Sequence, residues 1–99
     1  MEKEILMSVD EVIEYIRNNV EVGDILEISY NRIFAPGTVL AIIPEDEVTG
    51  EGLRVSMQLN GEILNQAVVI DLMEVKDDLL EVRHIREDNE IILEIDFDQ

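Results

Sequence analysis

Residues 53–59 are Leu-Arg-Val-Ser-Met-Gln-Leu, a strict alternation of apolar and polar side chains. Because successive side chains of a strand point to opposite faces, this alternation predicts a strand with one buried face. Asn60-Gly61 follows, and this dipeptide favours a two-residue hairpin turn because both residues tolerate positive φ. With these two residues as the loop, Leu53 faces Val68 across a β-hairpin, which keeps apolar side chains together.

Two further strands are predicted upstream of this hairpin. Gly23-Asp24 is typical of a turn, and residues 25–30 after it favour a strand. A loop is predicted from Asn31 to Gly37. Residues 38–43 are almost wholly apolar, which is typical of a strand covered on both faces.

The C-terminal third predicts a last hairpin. Residues 79–86 and 90–97 are apolar runs on either side of Asp88-Asn89. With those two residues as the loop, His84 faces Leu93 on the apolar side of the hairpin. Residues 71–78 fit either a strand or a short helix.

The N-terminal part predicts a helix over residues 8–19. Ser8 is a good N-cap, and Glu11 three positions later completes a capping box. Apolar residues follow at the helical spacing and form one stripe: Val9, Val12, Ile13 and Ile16.

These elements place the chain in the mainly β, α+β class. We expect residues 1–99 to form a single domain, since 99 residues suit one domain. The predicted architecture is an N-terminal helix (8–19) followed by antiparallel β-structure over residues 24–97. That structure is a small β-barrel or a curved sheet.

Two resemblances accompany this fold prediction. The pattern Val-Gly-Asp-Ile-Leu-Glu-Ile, then Gly-Thr-Val-Leu-Ala-Ile-Ile, then an alternating strand, lies within residues 22–59 and resembles SH3-like barrels. The helix Glu-Val-Ile-Glu-Tyr-Ile-Arg (11–17) leading into Val-Glu-Val-Gly-Asp (20–24) resembles a family of small uncharacterised acidic proteins from methanogenic archaea. The second resemblance implies a cytoplasmic protein of a salt-rich host and carries no activity.

Composition excludes several classes of function. The formal net charge is −17, which disfavours direct nucleic-acid binding because phosphate contacts depend on Lys and Arg. The sequence contains no cysteine, no apolar run long enough to span a bilayer and no basic signal-peptide start, so we expect a cytoplasmic location. The acidity fits either a salt-rich cytosol or a basic partner.

The sequence predicts no catalytic residue, no metal ligand and no cofactor. His84 is the single histidine, and its place on the apolar side indicates a histidine at the edge of the core. The acidic cluster at residues 45–47 does not match a calcium loop and is typical of a solvated loop. Asp24 is a mild candidate for a perturbed carboxylate, but its position favours fixing the turn through a backbone hydrogen bond.

One segment stands apart from the acidic background. Residues 28–44 contain no Asp or Glu, although 24 of the 99 residues are acidic. The segment holds Tyr and Arg, which dominate interface hot spots. The alternative is that its apolar residues fold into the core. The predicted partner-binding residues are Tyr30, Arg32, Ile33 and Phe34.

The function favoured by this segment is a non-enzymatic protein–protein interaction module, in contact with a protein partner or with a second copy as a homodimer. A carboxylate-based or divalent-cation-dependent enzyme is one alternative, and it requires acids that converge in a pocket. An acidic mimic of nucleic acid is the other alternative.

Overall fold

A computed structural model describes residues 2–60 and 66–97 of the chain. It contains one α-helix and seven strands in a single sheet, in the order β1-β7-β6-β2-β3-β4-β5. The elements are β1 (Glu2–Met7), α1 (Val9–Asn19), β2 (Ile25–Tyr30), β3 (Ile33–Ile43), β4 (Arg54–Leu59), β5 (Ala67–Asp71), β6 (Leu79–Arg86) and β7 (Asn89–Ile95).

The predicted helix is confirmed, with the predicted cap. The Ser8 side chain accepts a hydrogen bond from the backbone N–H of Glu11, and the Glu11 carboxylate accepts one from the backbone N–H of Ser8. This capping box satisfies N–H groups that the first helical turn leaves without partners. Val12 and Ile16 are fully buried, so the apolar stripe of α1 packs against the sheet.

The strand register assigns one face of the sheet to the core. Val82 lies opposite both Ile28 and Leu93, and Val39 lies opposite Met57. All five side chains are buried in the same cluster as the stripe of α1. We call this side the inner face and the other side the outer face.

The β-rich fold with a single helix is confirmed, but the sheet differs from the predicted one in two respects. It is mixed, because β1, which the sequence did not predict, pairs parallel to β7 while the other pairings of the described strands are antiparallel. It is also open, because β1 and β5 form its two edges within the described residues. This order does not confirm an SH3-like barrel.

The registers of both predicted hairpins are wrong by an even number of residues. Val68 lies opposite Met57 rather than Leu53, and the backbone N–H of Leu59 donates to the carbonyl of Gln66. The connection is therefore longer than two residues, and Gly61 of the predicted turn lies outside the described residues. An even shift keeps each side chain on its predicted face, so the apolar pattern could not detect the error.

The last hairpin turns one position earlier than predicted. Glu87, with φ +56°, precedes Asp88 in the turn, and His84 lies opposite Ile91 instead of Leu93. The ambiguous segment after β5 forms a turn and a short 3-10 helix, Lys76–Asp78. In the part of the chain that the structure describes, no helix is long and apolar enough to cross a membrane.

Candidate functional site

The acid-free segment, residues 28–44, forms the second half of β2, the turn after it and the whole of β3. The loop predicted from Asn31 to Gly37 is wrong, because β3 already begins at Ile33. Tyr30 pairs with Ile33 across a turn of two residues, Asn31 and Arg32. Asn31 has φ +53°, a conformation that Asn tolerates because its short side chain hydrogen-bonds locally. β2 therefore ends at Tyr30 as predicted, but the turn is shorter than the Pro36-Gly37 pair suggested and β3 begins five residues earlier than the predicted strand at residue 38.

The four predicted partner-binding residues do not share one face of this hairpin. Tyr30 is half-buried against the core, and Ile33, opposite it, is 51% exposed. Phe34 lies opposite Ser29, so its side chain points to the outer face, where it is 59% exposed. Arg32 is exposed at the turn. Phe34 is thus a surface residue, which removes the alternative that it belongs to the core.

Among the described residues, the outer-face side chains nearest Phe34 on β3, β4 and β5 are uncharged, and Glu27 of β2, opposite Pro36, lies at the boundary. Leu40, at a β-bulge in β3, and Val69 in β5 are 45% and 59% exposed on the same side. We call this surface the uncharged patch, and it comprises Phe34, Pro36, Thr38, Leu40, Ser56, Gln58, Ala67 and Val69. The other half of the outer face is acidic, with Glu2, Glu4, Glu27, Glu81, Glu90 and Glu94 beside Arg83.

A second candidate site lies at the opposite end of β2, where polar side chains meet at the edge of the core. Asp24 and His84 are buried, with 8% and 5% of their surface exposed. Nε2 of His84 is 2.8 Å from Oδ2 of Asp24, and Nδ1 of His84 is 2.7 Å from the hydroxyl of Tyr15. We call these three residues and Arg86 the Asp24 cluster.

Arg86 closes the cluster from the solvent side. Its Nε and Nη2 donate to the two carboxylate oxygens of Asp24 at 3.0 and 2.7 Å, and Nη2 also donates to the backbone carbonyl of Asn19 at 2.7 Å. The carboxylate also accepts the backbone N–H of Glu21 at 2.9 Å, which confirms the predicted role of Asp24 in its turn. Bidentate contacts of this kind fix both partners in orientation.

Charge determines which atom carries each proton in the cluster. The Arg86 guanidinium, against the opposing effect of burial, holds the pKa of Asp24 far below its usual range, with help from the Glu21 N–H and His84. Asp24 is therefore an acceptor, so Nε2 of His84, which faces it, donates; in the tautomer with its one proton on Nε2, Nδ1 is an acceptor. Burial raises the pKa of Tyr15, which stays protonated and donates its O–H to Nδ1.

Sequence reasoning identified two members of the cluster and missed the other two. The edge-of-core position predicted for His84 is confirmed, and its ring has two side-chain partners, Tyr15 and Asp24. Tyr15 lies on α1 and Arg86 at the end of β6, and no spacing along the chain links them to Asp24. Within residues 2–60 and 66–97, no three His, Asp or Glu side chains are grouped in a way that could hold a metal ion.

Comparison with known proteins identifies one family. The model of the family "Uncharacterized protein conserved in archaea (DUF2097)" matches residues 3–94. This match confirms the resemblance to an uncharacterised archaeal family. No curated protein and no solved structure matches the sequence.

Proposed function

The chain belongs to this archaeal family of unknown function, DUF2097, and we propose that it is a non-enzymatic interaction module that associates with a second copy of itself. The proposed contact surface is the uncharged patch together with the tip of the β2–β3 hairpin. Tyr30, Arg32, Ile33 and Phe34 supply the tip. A cytoplasmic location is part of the same proposal.

The observation that carries this proposal is the exposure of Phe34 among uncharged neighbours. An aromatic ring that is 59% exposed on a sheet face, with Leu40 and Val69 exposed on the same patch, leaves apolar area in water. Apolar patches with polar rims are typical of contact surfaces. The side chains of the inner face are buried in the core with the stripe of α1, so the outer face is the side of the sheet on which a second molecule can pack.

Charge favours this patch over the rest of the surface. Two copies with a net charge of −17 repel each other, and the repulsion is weakest where surfaces without acids meet. Arg32 supports the same assignment, because it has no ion pair within the described residues, whereas Arg17, Arg54, Lys76, Arg83 and Arg86 each contact a carboxylate. In a two-fold dimer each Arg32 can meet the acidic half of the other copy's outer face.

The test is the solution mass of the wild type and of Phe34→Asp, measured by light scattering over a range of protein concentrations. We expect a dimeric wild type and a folded, monomeric Phe34→Asp. The matched control is Val48→Asp, which adds the same charge at a fully exposed loop residue and should leave the dimer intact. Circular dichroism checks that each variant is folded.

A second variant separates the apolar contribution from the charge contribution. Arg32→Gln should weaken the dimer at low salt and have less effect at high salt, because salt screens pairing between exposed charges. A monomeric wild type at the highest concentration reached would reject the proposal. Equal dimerisation of Phe34→Asp and Val48→Asp would reject the assigned surface.

A further inference from the structure

A pocket of about 330 Å³ opens beside the Asp24 cluster, between α1 and the β1–β7–β6 end of the sheet. Its size is at the lower end of the range for small-molecule sites. His84 and Tyr15 form part of its wall, and Asn19, Asn89 and Ile91 line it with Lys3, Arg86 and Glu90. The uncharged patch lies on β3, β4 and β5, so the two sites are separate.

The pocket reverses the charge balance of the chain. The sequence has 24 acidic and 7 basic residues, yet among the described residues the pocket is lined by two basic side chains, Lys3 and Arg86, and by one acid, Glu90. The Glu90 carboxylate is engaged by Arg83, whose Nη1 lies 3.2 Å from Oε1. The charge of Arg86 is compensated by Asp24 and by Glu21, whose Oε2 lies 3.8 Å from Nη2, so Lys3 supplies the basic charge that attracts an anion.

Both basic groups retain donors for a ligand. Arg86 uses Nε and Nη2 on Asp24 and Asn19, so the two N–H groups of Nη1 have no hydrogen-bond partner within the described residues. Lys3 lies opposite Ile91 on the inner face and has no ion pair within the described residues. A carboxylate or a phosphate accepts hydrogen bonds from such groups, and the charge strengthens the bonds.

Tyr15 adds an acceptor to these donors. Because its O–H donates to Nδ1 of His84, the lone pairs of the phenol oxygen are left for a group that enters the pocket. His84 is held in turn by the buried carboxylate of Asp24, so the orientation of the Tyr15 hydroxyl is fixed before a ligand arrives. A ligand hydroxyl is a donor of the required kind.

We propose that this pocket binds a small hydroxylated oxyanion, whose carboxylate or phosphate contacts Lys3 and Nη1 of Arg86 and whose hydroxyl donates to Tyr15. Lys3 and Arg86 supply affinity for the charge. Tyr15, oriented by His84 and Asp24, distinguishes hydroxylated ligands from their deoxy counterparts. The ligand is small because the pocket holds about 330 Å³.

The test is a titration of the ¹⁵N-labelled full chain, followed by NMR at constant ionic strength. The probes are two pairs that differ in one hydroxyl: lactate with propionate, and 2-hydroxyethyl phosphate with ethyl phosphate. We expect at least one hydroxylated probe to give saturable shifts at Asn19, Asn89 and the Nε–H of Arg86, and to bind more tightly than its partner. The pair that responds identifies the oxyanion.

Two variants assign the contacts. Lys3→Gln removes an exposed charge in the pocket and should weaken binding about tenfold, the effect of losing one charge-assisted hydrogen bond. Lys76→Gln makes the same charge change outside the pocket, at an exposed ion pair with Asp10, and should bind like the wild type. In Tyr15→Phe, once its fold is verified, the hydroxylated probe and its partner should bind equally.

Three results would overturn the proposal. The first is that neither hydroxylated probe gives saturable shifts. The second is a set of shifts spread over the whole surface, which indicates screening of the net charge instead of a site. The third is an equal effect of Lys3→Gln and Lys76→Gln. None of these readouts depends on the oligomeric state. If the ligand proposal fails, the dimer proposal is unaffected and is tested separately by the solution mass.

Discussion

Asp24 and His84 are 60 positions apart in the sequence, yet Nε2 of His84 lies 2.8 Å from Oδ2 of Asp24 at the edge of the core. This contact joins the turn before β2 to β6. Through Tyr15 it continues to α1, and through Arg86 to the carbonyl of Asn19 at the end of the helix. The carbonyl of Asp24 also accepts the N–H of Val39 in β3. The carboxylate of Asp24 therefore links the helix to β6, and the backbone carbonyl of the same residue adds a contact with β3.

Asp24→Asn should destabilise the fold strongly. The amide keeps the size of the carboxylate but loses the charge that holds Arg86 and one acceptor oxygen, so His84 and Arg86 are left with imperfect partners. We expect a loss of about 2–4 kcal/mol in the free energy of unfolding, as for removal of one partner from a buried charged contact. Urea denaturation followed by circular dichroism measures it.

The control for this variant is Asp10→Asn. Asp10 forms an exposed ion pair with Lys76 at 2.8 Å, and pairs of this kind contribute little. The two variants change the net charge equally. If both cost the same, the Asp24 cluster does not stabilise the fold.

The contribution of Asp24 should depend on pH. Its folded-state pKa is depressed, chiefly by Arg86, so the carboxylate stabilises the fold fully above the unfolded-state pKa of about 3.9. The stabilisation is lost as the pH falls below that value, because the unfolded chain then binds a proton that the folded chain does not. The stability difference between wild type and Asp24→Asn should be constant from pH 7 to about 5 and shrink below about 4.

Urea denaturation of both proteins at each pH measures this difference. The subtraction removes the contribution of the other carboxylates, which titrate in both proteins. A difference that stays constant down to pH 3 would show that the contact with Arg86 does not lower the pKa of Asp24 in the folded protein.

Tyr15→Phe should lower the free energy of unfolding by about 1–2 kcal/mol, because it leaves Nδ1 of His84 without its partner at the edge of the core.

In the wild type, long-range ¹H–¹⁵N spectra of the imidazole should show a proton on Nε2 and none on Nδ1 at neutral pH. A proton on Nδ1 would reverse the direction of the Tyr15 hydrogen bond and contradict the assigned acceptor role of the phenol oxygen.

The elements that the sequence predicted well are those whose signals are local. The helix was recognised because Ser8, Glu11 and the apolar stripe lie within a few turns of one another. The strand at residues 25–30 was recognised because a Gly-Asp turn precedes it. β1 was missed because Glu2, Lys3 and Glu4 carry no apolar alternation. This edge strand is stabilised by its parallel pairing with β7, which is distant from β1 in the sequence.

The candidate sites show the same division. The acid-free segment is contiguous, so it could be recognised in the sequence. The sequence did not show that Ile33 and Phe34 point to opposite faces, because that depends on where β3 begins. The pocket could not be predicted. Lys3, Tyr15 and Arg86 come from three distant elements, and each is an ordinary residue for its own helix or strand.

Gly37→Ala tests the close packing of β3 against β4. A Cβ atom at Gly37 would lie 2.6 Å from the backbone oxygen of Gln58, and backbone in the middle of a sheet cannot move aside easily. Elsewhere in a strand, the same substitution stabilises by roughly 0.5–1 kcal/mol because Ala has less freedom to lose on folding. Here we expect the opposite sign, a loss of about 1–3 kcal/mol from overpacking. Thr38→Ala, at the next position of β3, is the control and should cost less than about 1 kcal/mol. The entropic gain and the overpacking at Gly37 differ in sign, so urea denaturation decides between them. A Gly37→Ala protein more stable than the wild type would mean that β3 and β4 lie farther apart than the register of Gly37 with Leu59 requires.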